Sequence, residues 1–403
     1  MWREWSTHAR GESEFLEEVL QRVKDSELWR EQAESFLQPF KKLKSFKSLF
    51  NCPQSSDRHA EGAWVGDHLD LMSRVLFAVV GDDLHLGDIE EFRRLKGFAG
   101  ELDEVEEILK EKVASLELFI LAHDLGKPRT VYFQARAGSG GVSQCFHNSL
   151  DQAWNLKNEE QIKTTEDYNK EYKKFSSTMV GATPEEIQDA FFSAYQIVIS
   201  YPGYAQQIAR PELREVLTKE SKKRRLTPED TEDVFHLILL HEKILHDFSV
   251  GVNLSVYNHL VSYAIKYGRD PDDFLDLLLA AVFLEVCALP CRSAHGIFYD
   301  LSPFTNFLLS EHESVPGKRF DRIKLRQEKQ LKIERQRLRE AGLDGNDLLV
   351  LLDLKPGPEF GEMLKQIHEY AKGQGVLPEL SEKVKKELFG RVEKFRNPPV
   401  VKL

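Results

Sequence analysis

His123-Asp124, followed at once by Leu125-Gly126-Lys127-Pro128, holds the densest chemistry in this chain. Neutral imidazole and ionised carboxylate are both ligands for first-row divalent metals. Gly126 relieves the backbone for a turn, and Lys127 sets a cation beside a place where an anion could sit. Together they point to metal-assisted hydrolysis of a phosphate ester. The plain alternative is a helix C-terminus that carries a surface His-Asp pair.

The elements around the pair favour the chemical reading. The preceding run, Leu116-Glu117-Leu118-Phe119-Ile120-Leu121-Ala122, reads as a helix buried on most sides. A buried helix that ends in polar groups is costly unless something pairs with them. Other helices supply further donors. His68 lies in the amphipathic segment Gly66-Asp67-His68-Leu69, His147 in Cys145-Phe146-His147-Asn148, and His241 and His246 in Leu240-His241-Glu242-Lys243-Ile244-Leu245-His246. Glu285 is a lone acid within Leu277 to Val286, and a carboxylate in so apolar a helix demands a partner. Each histidine alone is an ordinary packed or exposed residue. Several helices that each contribute one group to a bundle core are how bundles build metal sites. Cys287, Cys291 and His295 also fall at helical spacing, but Pro290 breaks that helix, so buried free thiols are the better reading.

Composition excludes several classes. With 403 residues, 41% hydrophobic and 30% charged, the chain is long enough for two or three globular domains. Its N-terminus, Met1-Trp2-Arg3-Glu4-Trp5, has no signal-peptide core. The apolar run from Phe274 to Cys291 is interrupted by Asp276, Glu285 and Pro290, so no membrane span is expected. Four scattered cysteines give no disulfide framework, which fits a reducing cytoplasm. The net charge of −11 argues against a coat of positive potential. Charge is uneven, however: from Lys318 to Glu340 there are ten Lys/Arg against four Asp/Glu, and Lys222-Lys223-Arg224-Arg225 forms a second cluster. Such stretches can bind a polyanion or simply form a solvated helix face.

Apolar residues recur at helix spacing in Phe15-Leu16-Val19-Leu20-Val23, in Leu69-Met72-Val75-Leu76-Val79, and in Val234-Leu237-Ile238-Leu240-Ile244-Leu245. Long alternating β-runs are missing, so the expected class is all-α. Thr183-Pro184-Glu185-Glu186 and Thr227-Pro228-Glu229-Asp230 are helix-start signatures. Gly138-Ser139-Gly140-Gly141 reads as a flexible loop, Asn155 to Lys174 as an exposed insertion, and Asp321 to Arg339 as a polar helix.

The order His68, then His123-Asp124-Leu-Gly-Lys-Pro, then Phe146-His147, then His241 with His246, resembles the HD superfamily of metal-dependent phosphohydrolases. It is most similar to the HD domain of certain bacterial tRNA nucleotidyltransferases (CCA-adding enzymes). Their last ligand is an Asp, where Leu277-Leu278 leads here to Glu285, a longer carboxylate. A second stretch resembles the C-terminal RNA-binding region of the same enzymes: Gly345-Asn346-Asp347-Leu348-Leu349, then Leu354-Lys355-Pro356-Gly357-Pro358-Glu359-Phe360-Gly361, ending in Glu369-Tyr370-Ala371-Lys372-Gly373. Pro356-Gly357-Pro358 would fix a turn and open a helix whose free N–H groups could receive a phosphate. No polymerising head is expected in this sequence, since Gly138-Ser139 is followed by no Asp-x-Asp pair.

The resemblance implies an N-terminal helical extension (1–60), an HD helical bundle (61–310) with a helical insertion around 155–230, and a basic linker helix with a C-terminal helical domain (311–403). It implies one or two divalent ions held by His68, His123, Asp124, His147, His241 and Glu285. Mn, Ni, Co or Fe suits so His-rich a set better than Mg. A metal-bound water would be activated, with Asp124 bridging metal and nucleophile and Lys127 and Arg129 neutralising phosphoryl charge. The substrates implied are RNA 3′ ends, tRNA-like ends among them, 2′,3′-cyclic phosphates and nucleotides. Lys318, Arg319, Arg322, Lys355, Gly357 and Gly361 are the candidate RNA contacts. Two other readings stand beside this one: a tRNA- or RNA-binding protein with a structural or degenerate HD site, and a di-iron oxygenase.

Overall fold

The computed structural model describes residues 15–55, 59–93, 99–135, 158–195, 197–293, 296–315, 335–352, 354, 357–372, 376–378 and 380–396. The fold is all-α, with two small two-stranded sheets among the described residues. It divides into two compact units, Met1–Gly317 and Lys318–Leu403. The expected boundary at 310 lies a few residues short of this division.

The first unit begins with α1 (Leu16–Asp25), α2 (Glu27–Lys41), α3 (Lys44–Phe50) and α4 (Val65–Val80), and continues with α5 (Glu90–Arg93), α6 (Ala99–Glu111), α7 (Val113–Ala122) and α8 (Lys127–Thr130). Next come α9 (Asn158–Ser176), α10 (Pro184–Tyr195), α11 (Pro211–Lys223) and α12 (Pro228–Ser249), and then α13 (Leu254–Lys266), α14 (Pro271–Cys287) and α15 (Ser302–Ser314). Helix starts follow the local sequence. Thr227 Oγ1 accepts the Asp230 N–H at 3.0 Å while Asp230 accepts the Thr227 N–H at 3.1 Å. Thr183 and Glu186 make the same reciprocal pair at α10. Asp270 caps α14 through the N–H groups of Asp272 and Asp273.

Every residue from Phe274 to Cys287 is buried, so α14 is enclosed on all sides. It packs against α4, α7 and α12, and α7 in turn meets α4 and α12. These four helices form the frame of the site. The N-terminal helices share the same core: Leu16, Leu20, Leu37 and Leu49 are buried with the residues of α4 and α14.

The stretch expected as an exposed insertion is built into this core instead. Polar residues dominate α9, yet Thr164, Tyr168 and Tyr172 repeat four apart and bury one face. Tyr168 and Tyr172 pack on Phe191 of α10, and Tyr172 also meets Trp64. Strand β1 (Tyr132–Ala135) pairs antiparallel with β2 (Ile197–Ser200), which closes the chain on either side of α9 and α10. The other sheet is a hairpin of β3 (Pro290–Ser293) and β4 (Gly296–Tyr299). Pro290 does stop α14 as expected, and Cys287 and Cys291 are free thiols.

The second unit contains the helices Gly345–Leu352, Pro358–Ala371 and Glu382–Arg396. Leu343, Leu348, Phe360, Ile367, Leu388 and Val392 form its core. A helix opens at Pro358, directly after Gly357, and the Gly361 N–H donates to the Gly357 carbonyl at 3.0 Å, while Pro356 of the expected turn lies outside the described residues. A Cβ at either glycine would meet nothing within 4 Å.

Candidate metal centre

His123 and Asp124 lie just past the end of α7, inside the bundle rather than at its surface. Gly126 makes this possible by close approach, not by an unusual φ. Its φ is −79°, but a Cβ there would fall 2.0 Å from the Tyr204 carbonyl oxygen. His68 projects from α4, His241 from α12 and Glu285 from α14, and all five groups are buried.

The three histidines share one arrangement. His68 Nδ1 lies 2.9 Å from the Ala288 carbonyl, His123 Nδ1 3.1 Å from that of Ile120, and His241 Nδ1 2.7 Å from that of Ile238. A carbonyl only accepts, so each Nδ1–H donates and each Nε2 is directed at the centre. His68 Nε2 is 3.4 Å from Glu285 Oε1, and His123 Nε2 is 3.5 Å from Glu285 Oε2 and 3.4 Å from Asp124 Oδ2. His68 Nε2, His123 Nε2, Asp124 Oδ1 and Glu285 Oε2 are buried without a hydrogen-bond partner. Four such atoms in one place are expensive unless a cation joins them. Two donors each about 2.1 Å from a common ion are themselves roughly 3.0–3.4 Å apart, close to the 3.4–3.5 Å seen. The donor atoms of His68, His123 and Glu285 all lie within 4.8 Å of one another. This donor set fits a divalent transition ion.

Electrostatics agree. Burial alone would raise the Asp124 carboxyl, but His123 and Lys127 beside it hold it well below the usual carboxylate range. Glu285, equally buried, is held at about 2 by His123 and His68. Burial works against a charge on His68, yet Glu285 and Glu61 push it up to about 10. Both carboxylates are therefore ionised and the centre attracts positive charge. A proton on His68 supplies it when no metal ion does.

His241 belongs to the cluster but differs in its free nitrogen. Its ring centroid is 5.5 Å from that of His123, and its Nε2 accepts from the Tyr204 hydroxyl at 2.8 Å. Burial lowers it to about 4, so it stays neutral at ordinary pH. Lys127 is buried, 2.7 Å from Asp124 Oδ2, with its ammonium over the rings of Tyr201 and Tyr204 at 5.0 and 5.3 Å. Arg129 is not brought to the cluster; it is part-exposed and pairs with Glu212 at 2.7 Å. His246 is exposed, five residues beyond His241 on α12. His147, Lys318, Arg319, Arg322 and Lys355 lie outside the described residues.

Sequence reasoning missed four neighbours: His59, Glu61, Tyr201 and Tyr204. Glu61 is buried, with Oε1 2.9 Å from His59 Nδ1 and 3.5 Å from His68 Nδ1. His59, Glu61 and His68 form a second group with metal-ligand spacing. Two tyrosines around Pro202-Gly203 were the available signal for a wall, since a turn flanked by large aromatics seldom stands free in solvent.

No protein-family model, curated protein or solved structure matches this chain. No described helix is long and apolar enough to cross a membrane.

Proposed function

We propose that this chain is a metal-dependent phosphohydrolase of the HD type, acting as a phosphomonoesterase or 2′,3′-cyclic phosphodiesterase on RNA 3′ ends or nucleotides. One observation carries the reading. Two histidines fixed through Nδ1 and two ionised carboxylates converge in a buried interior with four polar atoms unpaired. His68, His123, Asp124 and Glu285 would hold the ion, with Mn, Fe, Co or Ni suiting the mixed imidazole and carboxylate set better than Mg. A bound divalent ion supplies a hydroxide at neutral pH and polarises a phosphoryl oxygen.

The chain's own residues do the rest. Lys127 steadies the ionised Asp124 and places a cation beside the ion, where phosphoryl charge would gather. Tyr204 keeps a proton on the Nε2 side of His241, so that imidazole serves as an acceptor and one ion is the simplest stoichiometry. Tyr201 and Tyr204 wall the Lys127 side against water. The free cysteines suit a reducing cytoplasm.

A second reading is favoured by the depth of the centre. Its liganding groups are at most 3% exposed, as a purely structural ion site in an RNA-binding protein would be. Hydrolysis separates the two. The purified protein is expected to carry a transition metal and to turn over a 2′,3′-cyclic nucleotide or a phosphomonoester, with turnover lost in His123→Ala and Asp124→Ala. Stoichiometric metal with no turnover across that panel would establish the structural reading. No metal after reconstitution with Mn, Ni or Co would sink both.

A further inference from the structure

Glu61 sits behind His68, on the face away from Glu285. It is 6% exposed, yet it makes no ion pair with Lys or Arg among the described residues. Gln54 Nε2 donates to Oε1 at 3.1 Å, His59 Nδ1 lies 2.9 Å from the same oxygen, and His68 Nδ1 lies 3.5 Å from it. Oε2 has no partner. These contacts hold the carboxylate 3.5 Å behind the outer nitrogen of a metal-facing imidazole, whose N–H already bonds the Ala288 carbonyl at 2.9 Å. Neither His123 nor His241 has this feature, since their Nδ1 atoms meet backbone carbonyls alone.

Charge gives Glu61 a second part. Asp124, Glu285 and Glu61 are three buried carboxylates around the histidines, and among the described residues Lys127 is the one buried ammonium beside them. Three negative charges against one positive leave a deficit of two, the charge of a single divalent ion. Without Glu61 the deficit is one, and a divalent ion would leave an unbalanced positive charge in the interior.

We infer that Glu61 is a charge-balancing residue of the metal centre, acting on His68 through its charge and setting the net charge that a divalent cation neutralises, without itself touching the ion. The inference rests on the proposed metal site and adds a residue to it. A carboxylate on the outer nitrogen of a ligating histidine raises the ligand's basicity, and its loss typically weakens metal binding ~10–100-fold.

The test is a competition titration of Co²⁺ or Ni²⁺ against a chromophoric chelator, using the full chain and its Glu61→Gln and Glu61→Ala variants. Circular dichroism and metal-free melting serve as the check on folding. Glu61→Gln keeps the shape and an acceptor oxygen, so it isolates the charge even where the alanine variant folds poorly. Both variants are expected to keep the wild-type stoichiometry and bind about 10–100-fold more weakly. Wild-type affinity in Glu61→Gln would overturn the inference. A fall from two ions to one would overturn it differently, making Glu61 a direct ligand of a second ion with His59. A wild-type chain that binds no metal would instead refute the proposed metal site itself.

Discussion

The core of the second unit is apolar throughout. None of its described residues buries a charged or polar side chain, and the half-buried His368 meets its need by bonding the Leu343 carbonyl at 2.8 Å. The first unit buries His68, His123, Asp124, Lys127, His241, Glu285 and Glu61, each close to another member of the group. Both are helical, and both satisfy the same backbone rules. The difference shows what ordinary helix packing looks like in this chain, and so marks the cost of the centre as something packing does not require. Desolvating three carboxylates and an ammonium is unfavourable by several kcal/mol per ion unless they are compensated.

The largest expected effect that breaks this contrast is Lys127→Met. Removing one partner of a buried pair strands the Asp124 charge and typically costs about 3–5 kcal/mol. The metal-free protein should show a clearly lowered melting temperature for the first unit, and bound metal should recover part of it by neutralising Asp124. A neutral effect would mean that the pair is not enclosed.

Leu388→Ala sharpens the comparison from the other side. Leu388 is fully buried in the second unit, and the truncation should destabilise that unit by about 2–5 kcal/mol. Metal content should not change. Loss of metal in this variant would contradict the assignment of the centre to the first unit alone.

A smaller effect is expected with pH. In the metal-free protein His68 is raised to about 10 against an ordinary value of 6.5. Its contribution to stability is fully present below 6.5 and is lost as pH rises through about 10. His241, lowered to about 4, works at the other end. The unfolded chain takes up that proton first, so stability falls as pH drops from 6.5 toward 4. Metal loading should remove the alkaline limb, because the ion takes the place of the His68 proton. An alkaline limb unchanged by metal would show that the ion sits elsewhere.

Much of the centre was legible in the sequence because its donors lie on strongly periodic helices. Glu285 stands out because every neighbour on α14 is apolar, and His123-Asp124 because it ends a helix with no polar face. His59 and Glu61 were not legible, and Tyr201 and Tyr204 offered only the weak signal of a turn between two aromatics. They sit on irregular segments, and their contacts with His68, Lys127 and His241 span more than 70 residues for Lys127 and Tyr201, a pairing with no local signature. Polar composition also misled at α9, where the two tyrosines that bury it are outnumbered by charged residues. Arg129 looked like a phosphate ligand by position alone, but one turn of α8 carries it to Glu212 at the surface.

The most direct test of the centre is anomalous diffraction from crystals grown with Mn²⁺, Co²⁺ or Ni²⁺ and measured at the metal's absorption edge. The expected result is a single strong peak among His68 Nε2, His123 Nε2, Asp124 and Glu285, absent from an Asp124→Ala crystal. A peak elsewhere in the chain, or none at metal concentrations far above those that load known sites, would contradict it.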